Sequence, residues 1–121
     1  MGPLLLLRTR GRHSGLSRTI PVVILRHSDE QWLVAPFGAT HWVHNARATD
    51  RAELGRGRRF RTVQLVEIDD ERTPEILYRY RRAFGLVPFV RRAFTATPAD
   101  GPSAFRAEAE QHPVFLIRAV S

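Results

Sequence analysis

RTRGRHSGLSRTIP, residues 8–21, lies between two apolar runs, LLLL at 4–7 and VVIL at 22–25. Two apolar runs joined by a short polar stretch with glycines read as two strands and the turn between them. The stretch carries four arginines, a histidine and two glycines. Gly11 and Gly15 take positive φ at little cost, so the N–H groups between them can converge on an anion. Ser14 adds a hydroxyl, and Arg12 and Arg18 offer planar forks suited to phosphate or carboxylate. The same residues also fit an exposed hairpin whose arginines keep a sheet edge soluble.

Outward from the hairpin, strands are expected at 3–9, 18–27 and 31–36, the last after the polar turn Ser28-Asp29-Glu30, which makes a meander. A helix-compatible stretch follows at 40–49. A weak strand at 51–55, a turn at 55–57 and a long strand at 58–68 come next. In the long strand Val63 and Leu65 share one face while Val66 and Ile68 share the other, a phase change that predicts a bulge. Residues 72–84 read as a helix with Thr73 as N-cap, Pro74 at the first helical position and Gly85 after the end. A shorter helical piece is expected at 86–94, a loop at 95–103 and a buried strand at 112–120. Six strands joined by tight turns and short helices favour a mainly β fold, a small split barrel with helices packed outside, over a doubly wound parallel sheet.

The chain has 121 residues, enough for one domain over 1–121 with a real core, and 43% of them are hydrophobic. With no cysteine, disulfides and thiolate metal sites are excluded. The longest apolar run, at 4–7, is too short to span a bilayer, and no basic segment precedes it as a signal peptide requires, so a cytoplasmic location is expected. Position 6 is leucine where a myristoylation signal wants a hydroxyl residue.

The formal charge is +7, and all 19 basic residues are arginine. A GC-rich coding bias yields that without selection for any partner, so placement says more than the total. The arginines fall at 8–18, 56–61 and 79–92. No aromatic residues interleave with the first group as a base-stacking platform needs, which argues against nucleic acid. The last group fits a solvated helix face, a peripheral membrane contact or a lid. His41 and His44 stand three apart, but no third ligand is in sight, so no metal is expected. No Gly-x-Gly-x-x-Gly fingerprint follows any strand, so direct use of NADPH is unsupported.

The order Gly11-Arg12-His13-Ser14-Gly15, then Arg18-Thr19-x-Pro21, then an apolar strand, then Trp42-Val43-His44-Asn45, resembles the deazaflavin-dependent nitroreductase and quinone reductase family. Members typically read Gly-Arg-Lys-Ser-Gly, Arg-Thr-x-Pro and Trp-Tyr/Val-His-Asn, and the resemblance runs from about residue 4 to 118. It implies a split β-barrel like those of flavin reductases and pyridoxamine oxidases. It also implies coenzyme F-420, an 8-hydroxy-5-deazaflavin with a phosphate and an oligoglutamate tail, held in a groove along the barrel. By resemblance, Arg12, His13, Ser14, Gly15, Arg18 and Thr19 hold the phosphate and tail, and Pro21 shapes the strand beneath. Pro36, Phe37, Gly38 and Ala39 would meet the deazaflavin ring, with Trp42, His44 and Asn45 beside it. Trp42 fits core packing equally well.

The chain departs from the family at several positions. His13 stands where lysine is usual, and Thr49-Asp50 replaces the Asn-Pro common after the Trp-His-Asn helix. Phe84, Phe89 and Phe94 stand where tyrosines are frequent, leaving Tyr78 and Tyr80 as phenols. The resemblance implies an oxidoreductase passing a hydride to a small hydrophobic acceptor such as a quinone, enone or nitro compound. A deazaflavin-sequestering or anion-binding protein without turnover, and an FMN binder on the same barrel, are the alternatives. Such barrels occur as monomers and as homodimers.

Overall fold

The computed structural model describes residues 4–120. Pro3, expected at the start of the first strand, lies outside them. The elements are β1 (Leu4–Arg10), β2 (Ser17–Val23), β3 (Leu25–His27), β4 (Glu30–Val34), α1 (His41–Thr49), β5 (Arg51–Arg56), β6 (Arg59–Ile68), α2 (Thr73–Phe84), α3 (Pro88–Ala93) and β7 (Val114–Ala119). Two 3-10 stretches, Pro98–Asp100 and Pro102–Gln111, occupy part of the expected loop and the segment before the last strand.

All strands join one antiparallel sheet of order β2-β1-β5-β6-β7-β4-β3. Its two edges, β2 and β3, are consecutive in the chain and separated by Ile24 alone. One residue cannot bridge the width of an open sheet. The sheet therefore curls until its edges nearly meet, which is a split barrel. This corrects the strand expected at 18–27: it is two strands, one at each edge, so the sheet has seven strands rather than six. The meander expected over the first three strands is likewise broken, because β4 pairs with β3 on one side and with β7 on the other.

Two clusters of buried residues explain the apolar runs. Leu7, Ile24, Leu33, Val43, Leu54, Val63, Leu65, Phe115 and Ile117 fill the barrel interior. Trp32, Val34, Ile68, Ile76, Leu77, Tyr80, Phe105, Val114 and Leu116 form a second cluster where α2, α3 and the 3-10 stretches cover the sheet from outside. Strands covered on both faces lose the alternation of a half-solvated strand. The same fact corrects the bulge expected in 58–68. The β6 register runs unbroken from Arg59 opposite Arg56 to Gln64 opposite Arg51, and from Val63 opposite Ala119 to Ile68 opposite Val114. Val63 and Leu65 face the interior, while Val66 and Ile68 face the helices.

α2 starts at Thr73-Pro74 as the sequence indicates, but Thr73 lies inside the helix, its hydroxyl accepting the Asp70 N–H at 3.4 Å. Gly85 follows the end of the helix as expected, with φ −64°. Glycine is required there because a Cβ would stand 2.8 Å from the Arg81 carbonyl oxygen. Among the described residues no helix is long and apolar enough to cross a membrane.

Candidate functional site

A cleft of about 480 Å³ opens where the curled sheet fails to close. Arg18, Ile20, Pro21, Val22 and Val23 of β2 form one wall, and Pro36, Phe37, Thr40, His41 and Trp42 form another. Tyr80 of α2 and Phe89 of α3 complete it with Val34 and Thr9. The lining is mostly apolar with a few polar groups, the composition of a site for a largely planar organic ligand. Of the residues singled out in the sequence, Arg18, Pro21, Pro36, Phe37 and Trp42 line this cleft. Trp42 does so while packed on Phe115, ring centroids 5.4 Å apart, so it serves the core and the cleft together.

The hairpin tip is built differently from the anion nest its glycines suggest. Gly15 has a positive φ of 75°, whereas Gly11 does not. The backbone is crowded at Gly11, where a Cβ would stand 2.9 Å from Ser14 Oγ and 3.1 Å from the Leu16 carbonyl. The N–H groups of Gly11 and Gly15 donate to the carbonyls of Leu16 and Gly11, and that of Leu16 to Ser14 Oγ. Those donors are internally used, so an anion here would be met chiefly by side chains. Arg12, His13, Ser14, Gly15, Arg18 and Thr19 are all exposed.

Asn45 is buried under the hairpin and does not line the cleft. Its Oδ1 accepts the Arg12 backbone N–H and the Arg12 guanidinium, each at 3.1 Å, and its Nδ2 donates to Thr9 Oγ1 at 3.2 Å. It ties α1 to the end of β1 and the start of the turn. His44 is exposed on the same helix, also outside the cleft. His41 lines the cleft, and no group of three metal-ligating side chains occurs among the described residues.

The loop carrying Pro36 and Phe37 is held from behind by the segment before β7. The Ala35 N–H donates to the Pro113 carbonyl at 2.8 Å, and His112 Nδ1 lies 2.8 Å from the Pro36 carbonyl. A carbonyl only accepts, so Nδ1 carries the hydrogen. His112 Nε2 faces Glu108 Oε1 at 3.4 Å. Glu108 also accepts the N–H groups of Thr95 and Ala96, at 2.8 and 2.6 Å. Burial pushes the Glu108 carboxyl up, but these bonds outweigh it and leave it below the ordinary range. Gly38 has a φ of 80°, which side-chain-bearing residues rarely adopt, and neither Gly38 nor Ala39 lines the cleft.

Sequence reasoning named Tyr80 and Phe89 but did not count them among the site residues; they form the far wall. Tyr80 is 1% exposed, lines the cleft and makes no hydrogen bond to any described residue. Burial raises its hydroxyl above the usual phenol range, so it stays a neutral donor. Phe89 packs on the exposed Phe37 at the mouth, centroids 6.2 Å apart. Ile20, Val22, Val23 and Val34 resemble any core residue in sequence, and only the gap between the sheet edges gives them a ligand-facing side.

The fold and the site define a class of split barrels with an apolar cleft beside an arginine-rich hairpin. Within that class the sequence matches the model of the F-420H(2)-dependent quinone reductase family over residues 1–86, and the chain belongs to that family. No curated protein matches the chain. Among solved structures it is similar to an F-420-H2-dependent reductase, FDR-A, with 17% identity and a TM-score of 0.61, covering 96% of this chain and 94% of that one. It is also similar to the conserved hypothetical protein Rv2991 from Mycobacterium tuberculosis, with 19% identity, a TM-score of 0.61 and coverage of 99% and 74%. The heme storage protein HutZ from Vibrio cholerae has 9% identity, a TM-score of 0.62 and coverage of 98% and 82%. At such identities these likenesses concern the fold.

Proposed function

We propose that the chain, as one domain over 1–121, is an oxidoreductase that uses reduced coenzyme F-420 to reduce a small hydrophobic acceptor such as a quinone, enone or nitro compound. The observation that carries this is the cleft: an apolar slot with Tyr80, whose hydroxyl has no partner among the described residues, at its wall and Arg18 at its rim. The donor set fits the coenzyme. A phosphate and several carboxylates find exposed guanidinium and hydroxyl groups on Arg12, Ser14, Arg18 and Thr19, with His13 beside them. The flat ring fits between the β2 valines and the Pro36-Phe37 loop, with Gly38 and Ala39 setting the path of that loop.

When bound, the reduced deazaflavin supplies a hydride from its C5. The chain's residues orient and enclose. Pro21, Val22 and Trp42 fix the ring plane. Phe37 and Phe89 cover the mouth and exclude water. Asn45 sets the height of Arg12, and His44 stays at the surface of α1. Tyr80 donates a hydrogen bond to an oxygen in the cleft, a role the phenylalanines at 84, 89 and 94 cannot fill. The expected location is the cytoplasm, as monomer or homodimer, with no nucleic-acid partner.

Titration of the protein with the coenzyme, followed by its fluorescence, tests binding. Loss of reduced-coenzyme absorbance across quinones, enones and nitroaromatics tests turnover. Tight binding without acceptor-dependent oxidation would establish the sequestering alternative, preferential binding of FMN the other, and no binding of either rejects the reading.

A further inference from the structure

We propose that the corner between α2 and α3 is a docking surface for an anionic lipid bilayer. Residues 79–92, RYRRAFGLVPFVRR, hold five arginines and no acidic residue. Arg79 forms an ion pair with Glu75 at 2.9 Å, the arrangement of an ordinary solvated helix. Arg81, Arg82, Arg91 and Arg92 make no ion pair among the described residues.

These cations surround an apolar tip. Leu86, in the turn between the helices, is 89% exposed, and Pro88 beside it is exposed as well. Arg91 Nε donates to the Gly85 carbonyl at 3.2 Å, and the Arg81 guanidinium packs against Gly85, so two cations flank the turn that lifts Leu86 outward. Leu86 is the most exposed of the large apolar side chains described. An apolar side chain ringed by long cationic ones, whose stems lie along apolar matter while their heads meet phosphates, matches the interfacial layer of an anionic membrane. An aliphatic tip offers no face for stacking bases, which disfavours nucleic acid.

The corner adjoins the cleft. Phe89 stands in the first turn of α3, and its ring meets that of Phe37 at the cleft mouth. On the coenzyme reading, an acceptor dissolved in the bilayer would reach the cleft without crossing water. Docking itself does not depend on that reading and is measured without coenzyme.

The experiment is co-sedimentation of the full chain with vesicles of phosphatidylcholine alone and of phosphatidylcholine with phosphatidylglycerol. Binding is expected to the anionic vesicles only, weakening with salt. Arg82→Gln combined with Arg92→Gln should reduce it about twenty-five-fold, about fivefold for each charge. Leu86→Gln should reduce it roughly tenfold through lost apolar burial. Arg58→Gln combined with Arg59→Gln, which removes the same charge from the β5–β6 turn, should change it less than about twofold if the corner is the contact. All five positions are exposed, and circular dichroism confirms folding of each variant. The inference is overturned if anionic vesicles are not bound, if the two arginine pairs lose binding equally, or if Leu86→Gln has no effect. It is also overturned if RNA, rather than vesicles, is retained through Arg82 and Arg92.

Discussion

Asn45 Oδ1 accepts two hydrogen bonds from Arg12, one from its backbone N–H and one from its guanidinium, both at 3.1 Å. With the third bond, from Nδ2 to Thr9, a single buried amide fixes where the hairpin stands over α1. Asn45→Ala leaves the Thr9 hydroxyl and the Arg12 N–H without their partner. The expected cost is about 1–3 kcal/mol of stability, read from urea denaturation, together with weaker coenzyme binding.

Arg18 and Arg12 should separate in their effects. Arg18 reaches the cleft rim, so Arg18→Ala should cost about 1.5–3 kcal/mol of coenzyme affinity with folding unchanged. Arg12→Ala should lower stability as well, because its side chain shares the Asn45 oxygen. Fluorescence titration beside thermal melting distinguishes them. Binding that is indifferent to salt and to oligoglutamate length would remove the hairpin from the site.

Tyr80 is the cleft's buried phenol, and Tyr80→Phe removes only an oxygen that has no partner among the described residues. Stability should therefore stay level or rise slightly. If the hydroxyl assists reduction of an oxygen-bearing acceptor, kcat should fall by about 10²-fold, the lower end of general-acid assistance, with coenzyme affinity unchanged. Unaltered kcat with quinones and enones would assign Tyr80 to packing alone.

Glu108 gives the protein an acid-sensitive clasp. Burial raises its carboxyl, but the Thr95 and Ala96 N–H groups and His112 hold the net value below the ordinary glutamate range. A carboxyl depressed in the folded state binds protons less readily folded than unfolded. Its contribution is complete above the ordinary glutamate value of about 4.3 and is lost as pH falls through that value toward the lower native one. Melting temperature measured down through this range should drop more steeply for the parent than for Glu108→Gln. The same acidification should loosen the Pro36-Phe37 loop, since Glu108 holds His112 and His112 holds Pro36.

Much of the local structure was legible from residues close in sequence. The hairpin follows from apolar runs flanking Gly11 and Gly15, and α2 from Thr73-Pro74 ahead of an amphipathic stretch, because turn and cap chemistry act over a few residues. The family motifs at 11–21 and 42–45 are also local, and together with the Pro36-Phe37 loop they placed five of the cleft's residues. What the tertiary structure decided depends on curvature and distance. Ile24 looks like any valine or isoleucine of a strand, yet it separates the two edges of the sheet, a consequence of curling that no local pattern carries. Val63 through Ile68 mimic a bulge because two cores, not one, take their side chains. Asn45 stands in a ligand motif, but its three bonds to Thr9 and Arg12 turn it into a clasp behind the site. Tyr80 and Phe89 enter the cleft from helices more than fifty residues beyond β2, brought there by burying α2 and α3 against the outer face of the sheet. The sequence determines the strands and helices through short-range sterics and capping. Which side chains face one another across the gap is set only when the hydrophobic effect closes the barrel.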